Sequence, residues 1–287
     1  MSSPYALVLH GGAGVLAARS YDAEINHMRD LAAQGKAMLE AGNFALDVVT
    51  EIVRELEASG LYVAGKGSSP NKMGRFELDA AIMDGTTRNA GSVASLTGFI
   101  SPIHAARAVL EHTPHVMLVG QGAESFAREQ NLEQIDSVND YYTPAAAPDD
   151  REIPTGTVGC VALDTSGRLA AATSTGGTLN KMEGRVGDAP IIGSGTWADK
   201  RVAISCTGQG EYFLRGATAK DVAARMSYGG EDLNEAARNA LASVGELGGE
   251  GGLIAVDRNG NIVQPYNSPG MKRACVFSDG RITVDVK

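Results

Sequence analysis

The sequence of 287 residues has few cysteines, few aromatic residues and no basic cluster. Its three cysteines, Cys160, Cys206 and Cys275, stand singly in apolar runs, without the paired spacing of a metal site. We therefore expect them to be buried free thiols in a reducing compartment. A net charge of −9, with no basic run to offset it, argues against nucleic-acid and membrane-surface partners.

Two other features are missing. No apolar run reaches the roughly 18 residues that a membrane-spanning helix needs, and the first residues lack the basic and apolar regions of a secretory signal. The sequence therefore predicts a cytoplasmic protein.

Glycine, by contrast, is abundant. The 36 glycines fall in tight groups such as "HGGAG", "CTGQGE" and "GELGGEGG", which indicate sharp turns or close approach to a ligand. Between them, periodic apolar patterns predict strands near both ends of the chain and helices between. We predict an α+β fold with two sheets between layers of helices. The predicted helices cover residues 20–42, 45–58, 102–111, 123–129, 211–216 and 232–247.

A polar stretch at residues 131–156 contains three prolines and the segment "TPAAAPDD", which is typical of a flexible linker. It ends at Gly156 and is followed by Thr157 and an apolar strand pattern. An N-terminal threonine can use its own α-amino group as the base for its hydroxyl. An internal threonine becomes N-terminal only if the chain is cut before it. A preceding glycine leaves the scissile carbonyl open.

Taken alone, this junction favours the simpler interpretation of a turn followed by a β-branched residue that starts a strand. The surrounding motifs decide between the two. "GTVGCVALDTSGRLAAATSTGG", "GRVGDAP" and "CTGQGE", with "HGGAG" and "ELDAAIMDG" before them and "GGLIAVDRNG" after, closely resemble the plant-type asparaginase and isoaspartyl aminopeptidase family. These are N-terminal nucleophile hydrolases. The resemblance covers nearly the whole chain.

The resemblance implies one αββα domain over residues 1–287, made of two mainly antiparallel sheets between helical layers. It also implies self-cleavage into subunits 1–156 and 157–287, and hydrolysis of β-aspartyl dipeptides and, less well, of L-asparagine. The implied roles are these: Thr157 as the nucleophile after cleavage at Gly156, Thr175 as its hydrogen-bond partner, Thr207 and Gly208 as the oxyanion hole, Arg185, Asp188 and Gly210 as the substrate-binding residues, and Gly11 and Gly12 as support for maturation.

Each role has a structural alternative: Arg185 and Asp188 as a surface ion pair, Thr175 as a strand residue, and His10 of "HGGAG" as a structural histidine. The resemblance further implies assembly into a dimer of two-chain units and no catalytic cofactor. It also implies a structural sodium ion held by backbone carbonyls, here those of Leu56, Glu57, Ser59, Tyr62, Ala64 and Lys66.

The chain departs from the family pattern at Val63, where members commonly have asparagine. Competing functions within the superfamily are a glycosylasparaginase, a taspase-like protease and an uncleaved inactive homologue. A nucleotide-binding protein is the alternative from another class, suggested by the segment "GKGSS". This segment has the spacing of neither phosphate-binding motif, GxxxxGKS or GxGxxG.

Overall fold

The alternating apolar segments fold into strands of two sheets. The computed structural model describes residues 4–16, 19–145 and 156–287. In these residues the strands are β1 (Ala6–His10), β2 (Leu78–Asp84), β3 (Ala90–Leu96), β4 (Met117–Val119), β5 (Val158–Leu163), β6 (Leu169–Thr175), β7 (Thr196–Ala198), β8 (Val202–Gly208), β9 (Gly251–Asp257), β10 (Ile262–Val263), β11 (Arg273–Val276) and β12 (Ile282–Asp285).

The helices lie between these strands in the chain. They are α1 (Asp22–Glu40), α2 (Ala45–Ala58), α3 (Pro102–His112), α4 (Gly120–Glu129), α5 (Val138–Tyr141), α6 (Gly210–Gly216), α7 (Thr218–Ala224) and α8 (Leu233–Glu246). The proline that begins α3 has the φ angle of a first helical turn and needs no hydrogen bond there. The side chain of Asp232 caps α8 by accepting from the backbone N–H of Glu235 at 2.9 Å.

Eight strands form the larger sheet in the order β12-β11-β1-β5-β6-β2-β3-β4, and four form the smaller sheet in the order β10-β9-β8-β7. Every pair is antiparallel except β3 with β4. In the hairpin of β5 and β6, Val158 lies opposite Ser174. The residue before β5, Thr157, is therefore next to the last residue of β6, Thr175.

Three apolar cores separate four layers. One lies between α1 to α3 and the larger sheet, a second between the two sheets, and a third between the smaller sheet and α6 to α8. This αββα order confirms the predicted fold class. Within the described residues no helix is long and apolar enough to cross a membrane.

The predicted helices all form, and the three cysteines are free and buried as expected. The sequence pattern did not reveal α7, which follows α6 after Ala217 in a left-handed conformation with a φ of 45°. An alanine is a rare residue there, so no sequence signal separates the two helices.

The first half of the predicted flexible linker contains secondary structure and makes defined contacts. Residues 131–145 contain α5, and the Ile135 N–H donates to the carbonyl of Gly98 at 2.9 Å. The Tyr142 ring stacks on Phe76 with the centroids 3.7 Å apart. An aromatic contact thus holds a segment whose average composition is polar. The second half, residues 146–155, lies outside the described residues.

Candidate active site

The hydroxyl of Thr157 lies at one end of the gap between the two sheets. Thr157 is 6% exposed, and its Oγ1 donates to Oγ1 of Thr175 at 3.3 Å. Oγ1 of Thr175 also accepts from the N–H of Gly177 at 3.0 Å, which orients it. The register of β5 and β6 therefore creates a pair of threonine hydroxyls whose outer member is held in place by the backbone.

A cavity of about 10 Å³ opens beside this pair, which is room for about one water. It brings together most of the predicted site residues, together with three small residues that the sequence did not single out. Its lining consists of Gly156, Thr157, Thr175, Gly177, Thr178, Arg185, Gly187, Asp188, Gly208 and Gly210.

The two charged residues of the cavity lie on the connection between β6 and β7. Asp188 is buried, and its Oδ2 has no hydrogen-bond partner within the described residues. Burial raises the pKa of this carboxyl to about 7, although the nearby guanidinium of Arg185 acts to lower it. A buried acceptor without a donor is costly, so the site favours a ligand that brings one.

Arg185 is the cation of the cavity, and its guanidinium pairs with Glu211 at 2.8 Å. A Cβ added at Gly210 would lie 2.8 Å from Oδ1 of Asp188 and 3.1 Å from Nη2 of Arg185. Real Cβ atoms hardly ever approach so closely. Glycine at this position therefore keeps space open beside both charged groups.

Thr207 and Gly208 end β8 on the opposite wall. Gly208 has a φ of 148°, and a Cβ added there would lie 2.5 Å from the carbonyl oxygen of Glu250, so a side chain does not fit. The side-chain hydroxyl of Thr207 is buried and has no hydrogen-bond partner within the described residues. Gly208 lines the cavity with Thr157, whereas Thr207 lies one residue behind it.

Gly156 packs against the residue that departs from the family pattern. A Cβ added to Gly156 would lie 2.5 Å from Cβ and Cγ2 of Val63. The carbonyl of Val63 accepts from the N–H of Gly176 at 2.9 Å, beyond the end of β6. An apolar side chain, held by a backbone hydrogen bond, thus forms the wall behind the predicted scissile bond.

Gly11 and Gly12 do not line the cavity. Gly11 lies against the ring of Tyr62, and its N–H donates to the carbonyl of Lys272 at 2.8 Å. Gly12 has a φ of 100°, so the turn after β1 requires a glycine there. The contact with Thr157 comes instead from His10, whose Nδ1 lies 3.0 Å from the Thr157 carbonyl oxygen.

A buried carboxylate anchors the connection that carries Arg185 and Asp188. Glu77 accepts from the side-chain amide of Asn71 at 2.9 Å and from the N–H of Gly184 at 2.9 Å. Its carbonyl also accepts from Nζ of Lys181 at 2.8 Å. The segment just before Arg185 is therefore fixed to the loop that precedes β2, and the sequence gives no local signal for this anchor.

The predicted sodium ligands lie in the last turn of α2 and in the tightly curled loop that follows it. Cβ atoms at Gly65 and Gly67 would overlap the carbonyls of Glu57 and Tyr62 respectively, so glycines let these carbonyls approach. Several of the six carbonyls already accept one hydrogen bond, as Leu56 does from Ser59 Oγ at 2.9 Å. A carbonyl oxygen keeps a second lone pair for a hard cation. The residues fit a sodium ion held by carbonyls.

Two sheets face to face between helical layers, with a threonine at the start of a central strand, are the architecture of the N-terminal nucleophile hydrolases. The family model described as asparaginase matches residues 3–146 and 139–285. The chain belongs to this family and is a hydrolase.

Similar proteins span almost the same length. The isoaspartyl peptidase of Salmonella typhimurium is 46% identical over 98% of this chain and 97% of its own length. The isoaspartyl peptidase of Escherichia coli is 45% identical over 98% and 95%. A probable isoaspartyl peptidase/L-asparaginase 2 of Arabidopsis thaliana is 37% identical over 98% of both chains.

Proposed function

We propose that this chain is a self-cleaving threonine amidohydrolase. It hydrolyses β-aspartyl (isoaspartyl) dipeptides and, less well, the side-chain amide of L-asparagine. One observation carries the proposal: the Thr157 hydroxyl shares a single cavity with a cation, Arg185, and with the buried carboxylate of Asp188, whose Oδ2 has no hydrogen-bond partner among the residues that the structure describes. The similar proteins are named as isoaspartyl peptidases, one of them also as an L-asparaginase, which supports this substrate class.

In the first stage the chain cuts itself. Oγ1 of Thr157 attacks the carbonyl carbon of Gly156, and the acyl group moves from the nitrogen of Thr157 to its oxygen. Water then hydrolyses the ester and releases residues 1–156 with a carboxyl terminus. Thr157 keeps a free α-amino group and a free hydroxyl. The close packing of Gly156 against Val63 supports this step, because it restricts the movement of the residue whose carbonyl is attacked.

In the second stage the free α-amino group takes the proton of Oγ1, and Oγ1 attacks the side-chain carbonyl of the substrate. Negative charge develops on the carbonyl oxygen, next to Thr207 and Gly208. The proton passes to the leaving amine, which departs and leaves a β-aspartyl ester on Thr157. Water hydrolyses this ester. Thr175 supports both steps because its oxygen, oriented by the Gly177 N–H, accepts from the nucleophile.

Arg185 and Asp188 match the two charges of an amino-acid head group. The planar guanidinium binds the α-carboxylate through two parallel hydrogen bonds. The α-ammonium brings to Asp188 the donor that its Oδ2 lacks. With the head group bound in this way, the side chain of the substrate extends toward Thr157. Both β-aspartyl dipeptides and asparagine have this shape.

The remaining parts of the proposal concern the whole molecule. Catalysis needs no cofactor, and the loop after α2 binds a structural sodium ion. Two cleaved units pair, and the exposed apolar side chains of Val116 and Val119 at the β4 edge support such an association. The three free cysteines support a cytoplasmic location.

The test compares Thr157→Ala with the matched variant Thr157→Ser. The wild-type chain should give two fragments whose masses add up to the 29.8 kDa precursor plus one water, with the smaller fragment beginning at Thr157. Thr157→Ala should stay uncut and inactive, because it lacks the nucleophile. Thr157→Ser should cut itself more slowly and keep activity on a β-aspartyl dipeptide. Cleavage of Thr157→Ala at the same bond would refute the proposal.

A further inference from the structure

A chain of buried side chains, none of which lines the cavity, leads away from the carbonyl of Thr157, and the proposed chemistry does not use it. His10, the last residue of β1, is fully buried. Its Nδ1 lies 3.0 Å from the carbonyl oxygen of Thr157, and its Nε2 lies 2.9 Å from Oγ of Ser205 in β8. The ring therefore bridges the larger sheet and the smaller sheet directly behind the nucleophile.

The direction of every hydrogen bond in the chain follows from its first member. A carbonyl oxygen only accepts, so Nδ1 of His10 must carry the proton. Burial lowers the pKa of this imidazole to about 3, so the ring is neutral and Nε2 is an acceptor. Ser205 then donates to Nε2. Because that donation uses its only proton, Ser205 accepts from Oγ1 of Thr173 at 2.8 Å.

The hydrogen-bond chain ends at Thr196, the first residue of β7. Because Thr173 uses its proton on Ser205, Oγ1 of Thr196 donates to Oγ1 of Thr173 at 2.7 Å, and the carbonyl oxygen of Ala189, 3.0 Å away, is a contact that receives no proton. Ala189 directly follows Asp188 in the sequence. All of these hydroxyls are buried and belong to strands of both sheets. The hydrogen-bond chain thus runs from the backbone of the nucleophile to Thr196, which contacts the backbone next to the carboxylate without donating to it.

A glycine keeps the path of this chain open. Gly159 lies opposite His10 in the pairing of β1 with β5. A Cβ on Gly159 would overlap Oγ of Ser205 and lie 2.5 Å from Nε2 of His10. Any larger residue would separate the imidazole from the serine. This contact explains why the motif "GTVG" has a second glycine two residues after the nucleophile.

We propose that His10, Ser205, Thr173 and Thr196 form a one-directional hydrogen-bond chain that fixes the carbonyl of Thr157, and so aims its hydroxyl. His10 is a positioning residue in this view, because it acts through the backbone of Thr157 and touches no substrate. The inference rests on the proposed function in one respect, namely that Thr157 is the nucleophile. The arrangement of protons along the chain does not depend on it.

The first test reads the protons directly, in the uncut Thr157→Ala protein. The protein is labelled with ¹⁵N-histidine, and the His10 signals are assigned by their loss in His10→Asn. The proposed hydrogen-bond chain predicts that the His10 ring is neutral, carries its proton on Nδ1 and does not titrate between pH 8 and pH 5. A proton on Nε2, or a titration near the ordinary histidine pKa of about 6.5, would overturn the inference. Neither result depends on whether the protein is an active hydrolase.

The second test separates the hydroxyl of Thr173 from its packing. Thr173→Val keeps the volume and removes the donor, whereas Thr173→Ser keeps the donor and removes a methyl group. If the hydrogen-bond chain positions Thr157, the valine variant should have a kcat roughly two- to tenfold lower than the wild type, slower self-cleavage and a KM that is little changed. The serine variant should keep most of the kcat.

A role in packing alone predicts the opposite order, because the serine variant leaves a cavity. An equal or greater loss of kcat in Thr173→Ser would therefore overturn the proposal. So would a valine variant with the kcat of the wild type. Melting temperatures of both variants show whether a loss of activity is a loss of folded protein. Cleavage or activity in Thr157→Ala would instead refute the proposed function, while the ¹⁵N result would still stand.

Discussion

The carboxylate of Asp188 should destabilise the protein at the pH at which it serves the substrate. Burial raises the pKa of this group from 3.8 to about 7. Each pKa unit corresponds to about 1.4 kcal/mol, so the ionised, unliganded site costs roughly 4 kcal/mol above pH 7. Asp188→Asn removes the charge and nearly preserves the shape. We therefore expect the variant to be more stable than its parent at pH 8.

The sign of the pH dependence follows from the protons bound. Between pH 3.8 and about 7 the folded protein keeps the proton of Asp188 while the unfolded chain loses it. The stability of the parent therefore falls as the pH rises through this window. The advantage of Asp188→Asn should grow from near zero at pH 4 to about 2 kcal/mol at pH 5, and to its full value above pH 7.

The assay is urea unfolding of both proteins in the Thr157→Ala background, so that each remains a single uncut chain. Other buried carboxyls with raised pKa values, Glu57 and Asp79, titrate in both proteins and largely cancel in the difference. New hydrogen bonds of the asparagine would shift the difference equally at every pH. A difference that is the same at pH 5 and pH 8 would refute the reasoning.

The same carboxylate predicts the shape of the activity profile in the cleaved enzyme. Both the α-amino group of Thr157, with a pKa of about 8, and Asp188 must lose a proton in the free enzyme. Below pH 7, kcat/KM should therefore fall about a hundredfold per pH unit, whereas kcat falls only about tenfold, because bound ammonium keeps Asp188 ionised. In Asp188→Asn the two slopes should become equal at a much lower kcat/KM. Equal slopes in the wild type would contradict the assignment.

Two further predictions concern the glycine beside the head-group residues and the loop after α2. Gly210→Ala should leave self-cleavage intact and lower kcat/KM strongly, because the new Cβ would lie 2.8 Å from Oδ1 of Asp188; equal kcat/KM in the variant would contradict this. Replacing sodium by choline at constant ionic strength should lower the melting temperature of the cleaved protein, while an unchanged melting temperature would argue against a sodium ion on the loop.

Most of the fold could be predicted because its signals are local. The hairpin of β5 and β6 is an apolar run on each side of "TSG", and α2 has an amphipathic pattern that ends before a glycine turn. What could not be predicted depends on contacts distant in sequence. Residues 131–145 have the composition of a linker, yet Tyr142 finds a stacking partner in Phe76, which no pattern within that segment indicates.

The candidate site divides in the same way. Thr157, Arg185 and Asp188 lie in motifs that are recognisable over a few residues, and the structure brings them into one cavity. The hydroxyls of the buried hydrogen-bond chain could not be predicted from the sequence, because Thr173 and Ser205 look like ordinary strand residues. Their hydrogen bonds become recognisable only in the folded structure, where β1, β6 and β8 bring them close to His10, which is 195 positions from Ser205 in the sequence.

Val63 shows what a departure from a family pattern does and does not indicate. In the family that the chain resembles, that asparagine hydrogen-bonds near the nucleophile, so the resemblance predicts that its replacement by valine alters catalysis or maturation. The structure adds that the valine packs against Gly156, on the face where a Cβ would overlap it. A rigid apolar wall can hold a carbonyl in place as an amide can, but it offers no donor to a developing charge. We therefore expect the stabilisation of that charge to come from the other wall, where Thr207 and Gly208 end β8.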